Sequence, residues 1–279
     1  FPDREYLAIG AAAINAFIPQ FLFISGAINN DNLVTFFSSL TLLLLIRNIQ
    51  YPISNIKGGL DIGYWILLGL VLGLTCLSKL SGLGLLILTA IVLMAQAYRR
   101  RSARPLVGTL IAFAVVLVVA GWWYVRNWTL YGDPTGLNVM LAVVGRRSLS
   151  PSLSGLWGEF RGLRMSFWAL FGWFSILAAP AVYAILDVVS LLALMGLGVW
   201  FVRQHGISDL RFSMGGFLNR KSAIGNRKSG AVRVLTLWLA IVFLGLVRWT
   251  WTTPGTQGRL LFPAISALCI LLILGLSQL

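Results

Sequence analysis

The run from Leu106 to Ala120 carries no charged residue, and similar runs recur along the whole chain. A helix needs about 18–20 apolar residues to cross a bilayer, and several stretches approach or exceed that length. Only 11% of the 279 residues are charged, and mean hydropathy is +0.86. A water-soluble domain carries about 25% charged residues. The expected fold class is therefore all-α: a polytopic transmembrane helix bundle forming a single membrane domain over residues 1–279. Eight spans are expected, at about 6–27, 31–46, 63–79, 82–98, 106–125, 181–202, 233–250 and 259–279. In lipid each segment must satisfy its own backbone polar groups, so the spans should be helices. Pro19 and Pro263 sit where such helices tolerate a kink.

The net charge of +14 would suggest nucleic acid in a soluble chain. Here the basic residues lie in the connections, so no nucleic-acid partner is expected. One set of connections holds Arg4, Arg47, Lys57, Arg99, Arg100, Arg101, Arg104, Arg203, Arg211, Arg220, Lys221, Arg227, Lys228 and Arg233, fourteen of the 22 Lys and Arg residues. That asymmetry assigns this side to the cytoplasm. Residues 203–232, with the repeat NRKSAIGNRKS, are too polar to bury a core and read as a flexible basic cytoplasmic loop. The opposite, outer side receives the corner NNDN, Lys79, a long outer segment 126–180, and TTPGTQGR. Within that segment SFWALFGWFSILAAP (166–180) reads as an interfacial or re-entrant helix, because a true crossing would move the basic loop outside.

Cys76 and Cys269 lie inside apolar runs and His205 is the lone histidine, so no metal-ligand cluster is formed. No cofactor is required by the sequence, and a divalent metal is left open. The chemistry-bearing residues gather instead at the outer ends of separate spans. Asp31 follows Asn29 and Asn30; Lys79 sits between two spans with almost no loop. Arg126, Asn127 and Asp133 follow the WWY belt, and Arg248, Gln257 and Arg259 flank the last outer turn. Charges at membrane depth line water-filled cavities or pair with one another. Singly, each has a plain reading: snorkelling cations at Lys79 and Arg248, helix caps at Asp31 and the neighbouring asparagines, an Arg126–Asp133 pair. Asn127-Trp128-Thr129 also matches a short glycosylation sequon. Together they suit a cavity for a phosphate or pyrophosphate, held by charge-assisted hydrogen bonds. Asp187 lies inside a span, whereas Arg146, Arg147, Glu159, Arg161 and Arg164 read as a solvated amphipathic surface.

Five segments, PQFLFISGAINNDNL (19–33), GLVLGLTCLSKLSGLGLL (69–86), AGWWYVRNWTLYGDPTG (120–136), SFWALFGWF (166–174) and QGRLLFPAISAL (257–268), appear in an order that resembles the C-type integral-membrane glycosyltransferases. That group includes the dolichyl-phosphate-mannose protein mannosyltransferases and the bacterial aminoarabinose transferases. The resemblance implies a hexosyl or pentosyl transferase with an active site on the extracytoplasmic face of a bacterial inner membrane. Its co-substrate would be a polyprenyl-phosphate sugar, and its acceptor a lipid, glycan or protein. It carries Asp31 as a supporting acid, Lys79, Arg126 and Arg259 as donor-phosphate contacts, and Asn29, Asn30, Asn127, Asp133 and Gln257 as cavity lining. In the family the principal catalytic acid lies in the first outer loop, to which nothing here corresponds. The first span looks like the family's third, so the chain is expected to lack its N-terminal helices and that acid. A transporter or flippase for an anionic lipid or solute would want similar cations. A non-catalytic envelope-polysaccharide assembly subunit could share the fold.

Overall fold

A computed structural model describes residues 5–51, 61–148, 151–172, 174–205 and 223–279. Helices dominate it. In chain order they are α1 (Glu5–Phe17), α2 (Pro19–Ser25), α3 (Asn30–Gln50), α4 (Ile62–Ser78), α5 (Leu83–Arg100), α6 (Arg104–Val116), α7 (Trp122–Tyr131), α8 (Leu137–Val144) and α9 (Leu153–Trp168). A two-residue hairpin, β1 (Leu170–Phe171) with β2 (Ile176–Leu177), precedes α10 (Pro180–His205), α11 (Ala223–Thr252) and α12 (Ile265–Leu276). Among the described residues six helical stretches are long and apolar enough to cross a membrane: α3, Leu80–Arg100, Arg104–Tyr131, Pro180–Gln204, Ser229–Thr252 and Gly258–Leu276. The protein is an integral, multi-pass membrane protein with an all-α bundle.

Two expected spans, the first and the fifth, are modified. The first is broken: Pro19 has no amide hydrogen to continue α1, and α2 turns away by 68°. The fourth helix, α4, is a shorter apolar helix of 17 residues. The span expected at 106–125 runs further, to Tyr131, through a π-helical turn at Leu117–Gly121. Residues 166–180 do not form one helix. Trp168 ends α9, and the chain then makes the antiparallel hairpin, with Phe171 pairing Ile176. Gly172 supplies the positive φ of 54° that the tight turn needs. The amphipathic helix of the outer segment lies earlier, at Leu153–Trp168. In the basic segment α10 continues to His205 and α11 already begins at Ala223, so residues 223–232 are helical. The rest of that expected loop, with the first NRKS, lies outside the described residues, as do Arg4 and Lys57.

The bundle is organised around α3, which buries Val34, Ser38, Thr41, Leu42 and Leu45. Trp238 of α11 is fully buried, and its indole donates to the Pro263 carbonyl at 2.9 Å. That bond matters because the 3-10 entry Gly258–Ala264 contains Pro263, and irregular backbone at membrane depth survives only when its polar groups are met by neighbours. Phe262 is the centre of a second apolar cluster, edge-on to Phe21 at 5.5 Å and Phe167 at 6.0 Å.

Helices α10 and α12 cross at glycines. A Cβ on Gly196 would lie 2.0 Å from the Gly275 carbonyl oxygen, and one on Gly275 would lie 2.0 Å from that of Ala193. Membrane helices gain no hydrophobic drive from each other, so backbone approach at small residues is what holds them. Gly275→Val should separate α10 from α12 and cost about 3 kcal/mol or more, read as a lowered melting temperature in detergent. Gly198→Ala, where a methyl meets nothing within 4 Å, should leave the melting temperature unchanged or raise it.

Candidate functional site

The corner Asn29–Asn32 joins α2 to α3, and its asparagines are helix-end fasteners. Asn29 is extended and caps α3, accepting from the amides of Asp31 at 2.8 Å and Asn32 at 3.3 Å. Its Nδ2 donates to Ile24 and Ala27 carbonyls, and Asn32 Nδ2 donates to those of Ser25 and Ala27. Asn30 is exposed. This knot sets Asp31 in the first turn of α3, where the helix dipole favours negative charge.

Lys79 arrives by a different device. At the end of α4 it is extended, with φ −161°, and the chain folds back through a 3-10 turn, Leu80–Gly82. Gly82 packs so tightly on α4 that a Cβ there would lie 2.4 Å from the Thr75 carbonyl oxygen. The reversal points the Lys79 ammonium at Asp31 Oδ1, with which it forms an ion pair. Arg259, at the entry to α12, brings Nη1 within 3.7 Å of Asp31 Oδ2, and its Nε donates to Gln257 Oε1 at 2.5 Å. The Asp31 carboxylate is 4% exposed, Lys79 22% and Arg259 41%. A buried acid thus anchors two cations whose outer faces remain open to an approaching anion.

Arg126 stands apart from this trio. It is exposed, its guanidinium lies 5.1 Å over the Trp123 ring, and Nη1 reaches Asn127 Oδ1 at 3.4 Å. Its helix is nonetheless tied to the site, because Tyr124 donates its hydroxyl to the Cys76 carbonyl at 2.8 Å, one turn before Lys79. That carbonyl belongs to the last turn of α4, which has no partner within the helix. Asn127 is buried and donates to the Pro134 carbonyl at 3.4 Å, so its side chain serves the fold.

Asp133 does not pair with Arg126 in the bonds the structure shows. Its carboxylate accepts the Thr135 amide at 2.9 Å and hydroxyl at 2.7 Å, and the Asn138 amide at 2.9 Å. The Asn138 amide foremost, then the Thr135 groups, hold it below the ordinary carboxylate range. Asp133 therefore braces the turn that leads into α8.

The segment 126–180 is fastened to this end of the bundle by residues that read in sequence as solvated. Arg147 donates Nε to the Thr250 and Thr253 carbonyls, at 2.8 and 3.1 Å, its own amide bonds Thr252, and Nη2 pairs with Glu159. Thr250–Thr253 end α11, immediately before Gln257 and Arg259. Gly258 donates its amide to Ser166 Oγ at 2.8 Å, Leu170 donates to Gln20 Oε1 at 2.8 Å, and Tyr183 bonds the Ala169 carbonyl. Arg164 pairs with Asp187 at 2.8 Å, which accounts for an acid inside a span. Nothing local in the sequence marks the grip of Arg147 on α11, because its threonine partners lie about a hundred positions away.

Two cavities lie at the opposite end of the bundle. The larger, about 580 Å³, is bounded by Leu43, Ile46, Arg47, Gln50 and Tyr51, all from the end of α3. Among the described residues no group of three or more His, Cys, Asp or Glu side chains could hold a metal ion.

The profile of the dolichyl-phosphate-mannose-protein mannosyltransferase family matches residues 4–124. Those residues include Asp31, Lys79 and the connection between them, so over this part the chain is similar to that family of membrane glycosyltransferases. No curated protein and no solved structure matches the chain significantly.

The Arg147 latch should respond to mutation and to pH. Burial works to raise the Glu159 carboxyl, but hydrogen bonds from Arg147 and Thr256 and the Arg147 charge outweigh it and hold it below 4.5. A depressed acid stabilises fully above its ordinary value and loses that contribution as pH falls through the lowered one. Limited proteolysis between residues 132 and 180 should accelerate below about pH 4.5. Arg147→Ala should show that fast cleavage at neutral pH as well.

Proposed function

We propose that this membrane protein is a glycosyltransferase that moves a sugar from a polyprenyl-phosphate-linked donor to an acceptor on the extracytoplasmic face. The observation that carries the reading is the Asp31–Lys79–Arg259 trio. In sugar transfer the acceptor oxygen or nitrogen attacks the anomeric carbon, and the bond from that carbon to the phosphate oxygen breaks. The electron pair leaves with the polyprenyl phosphate. Cations fixed in advance stabilise that developing charge more than they stabilise the donor, which is what lowers a barrier.

Lys79 and Arg259 suit this task because Asp31 holds them in place without water reorganising around them. Arg259 has the looser contact and the greater exposure, so its guanidinium is the group that turns to the phosphate, bidentately where geometry allows. Gln257 steadies it through Nε. Asp31 is committed to two cations, so in this reading it positions them, and the acceptor's proton passes to another carboxylate. Arg126 waits at the rim over Trp123 and meets the donor's phosphate on entry. The outward orientation is supported by the other end of the bundle, where Arg47, Arg99, Arg100, Arg101, Arg104 and Arg233 mark the side that stays in the cytoplasm. The acceptor is a lipid, glycan or protein bearing a hydroxyl or amine.

The test is equilibrium binding of radiolabelled polyprenyl phosphate to the chain in nanodiscs. Lys79→Ala and Arg259→Ala should each weaken binding about tenfold, the value of one charge-assisted hydrogen bond. Arg126→Ala should have a smaller effect, since its guanidinium is solvated. Wild-type binding in both of the first two variants would overturn the assignment. Movement of the labelled lipid between leaflets, without transfer, would favour a flippase.

A further inference from the structure

A small cavity with polar walls lies at the opposite end of the bundle. Between α3, α5 and α11 lies a cavity of about 40 Å³ lined by Ile49, Gln96, Arg99, Gly230 and Arg233, with Val92 among its apolar walls. A water needs roughly 10–15 Å³ by this measure, so the space holds about three waters or one compact polyatomic anion. Gln96 is only 8% exposed, yet neither its Nε2 nor its Oε1 has a hydrogen-bond partner. A buried amide left unpaired is costly, and its place on the cavity wall points to an occupant.

The charge of that occupant follows from its other walls. Arg99 and Arg233 come from different helices and are close enough to act on each other electrostatically. Among the described residues no carboxylate pairs with Arg99; Asp31, Glu159 and Asp187 are engaged elsewhere. Two guanidinium groups and an amide converging on a small cavity offer several donors to an oxyanion, and guanidinium geometry matches a phosphate. Arg99 lies in the last turn of α5, the level at which basic pockets between membrane helices meet lipid phosphates.

We propose that Gln96, Arg99 and Arg233 bind the phosphate group of an anionic phospholipid between α5 and α11. The site is separate from the donor trio and stands whether or not the chain transfers sugar. It would clamp α11 to α5 at the end where the basic connections meet the membrane.

The experiment uses the purified chain in nanodiscs of phosphatidylcholine containing a minor fraction of phosphatidylglycerol, with lipid retention read by native mass spectrometry. Wild type should retain phosphatidylglycerol over phosphatidylcholine. Arg99→Gln and Gln96→Leu should each reduce that retention about tenfold, whereas Arg101→Asn, an equal charge loss at an exposed left-handed position, should not. If inorganic phosphate added in pure phosphatidylcholine raises the melting temperature as much as phosphatidylglycerol does, and Arg99→Gln abolishes that rise, the phosphate site stands and its source is the free anion. Gln96→Leu that folds, melts higher and retains lipid like wild type would overturn the proposal, since the amide would then be only an unfilled polar group. Should that variant not fold, Arg99→Gln decides: retention equal to Arg101→Asn reduces the effect to general surface charge and overturns it too.

Discussion

A carboxylate almost out of reach of solvent, held between cations from two distant parts of the chain, sets the geometry of the whole Asp31 end. Burying an ion is expensive, and removing one partner leaves the other uncompensated. Asp31 therefore demands that the start of α3, the end of α4 and the entry to α12 stay together. The asparagine knot before α3, the tight reversal around Lys79 and the 3-10 entry containing Pro263 all serve that demand. Each is locally irregular, and each is repaired by a specific bond: Asn29 to the first amides, Tyr124 to the Cys76 carbonyl, Trp238 to the Pro263 carbonyl.

The segment 126–180 belongs to the same construction. Arg147 grips the carbonyls that end α11, Ser166 receives the Gly258 amide, and Gln20 receives that of Leu170. These three bonds enclose the turn that carries Gln257 and Arg259. In the proposed reaction the positioned cations must not have to reorganise, so residues with no contact to a substrate would act on it through this frame.

Much of the bundle was legible in sequence because lipid makes composition decisive: a long run without charge must be helical. The trio was legible as a set of polar residues at one end, since the parity of the spans puts Asp31, Lys79 and Arg259 on one side. Their pairing was not, because it joins positions 48 and 228 residues apart. The outer segment was read least well. The aromatic density of 167–174 suggests a membrane-seeking helix, but a glycine in the left-handed region and a tether from Gln20 make it a hairpin. Arg147 and Glu159 look solvated when taken locally, and only the fold supplies the threonine carbonyls that bury them. The asparagines show the converse: the capping explanation holds for Asn29 and Asn32, while the acid between them does something else.

The π-helical turn at Leu117–Gly121 has a consequence for how this membrane helix can evolve. Such a turn accommodates one residue more than an α-helical ladder, and a residue corresponds to about 100° of rotation. Below it, Ala112 and Val116 face the bundle core; above it, Tyr124 faces α4 while Arg126 stays exposed. The turn works as an angular offset between two registers on one rod. Deleting a single residue there would preserve a hydrophobic rod of nearly the same length, yet would swing the tyrosine off its carbonyl and redirect the arginine. Apolar composition alone would register no change, so this stretch is constrained in length far more tightly than in residue type.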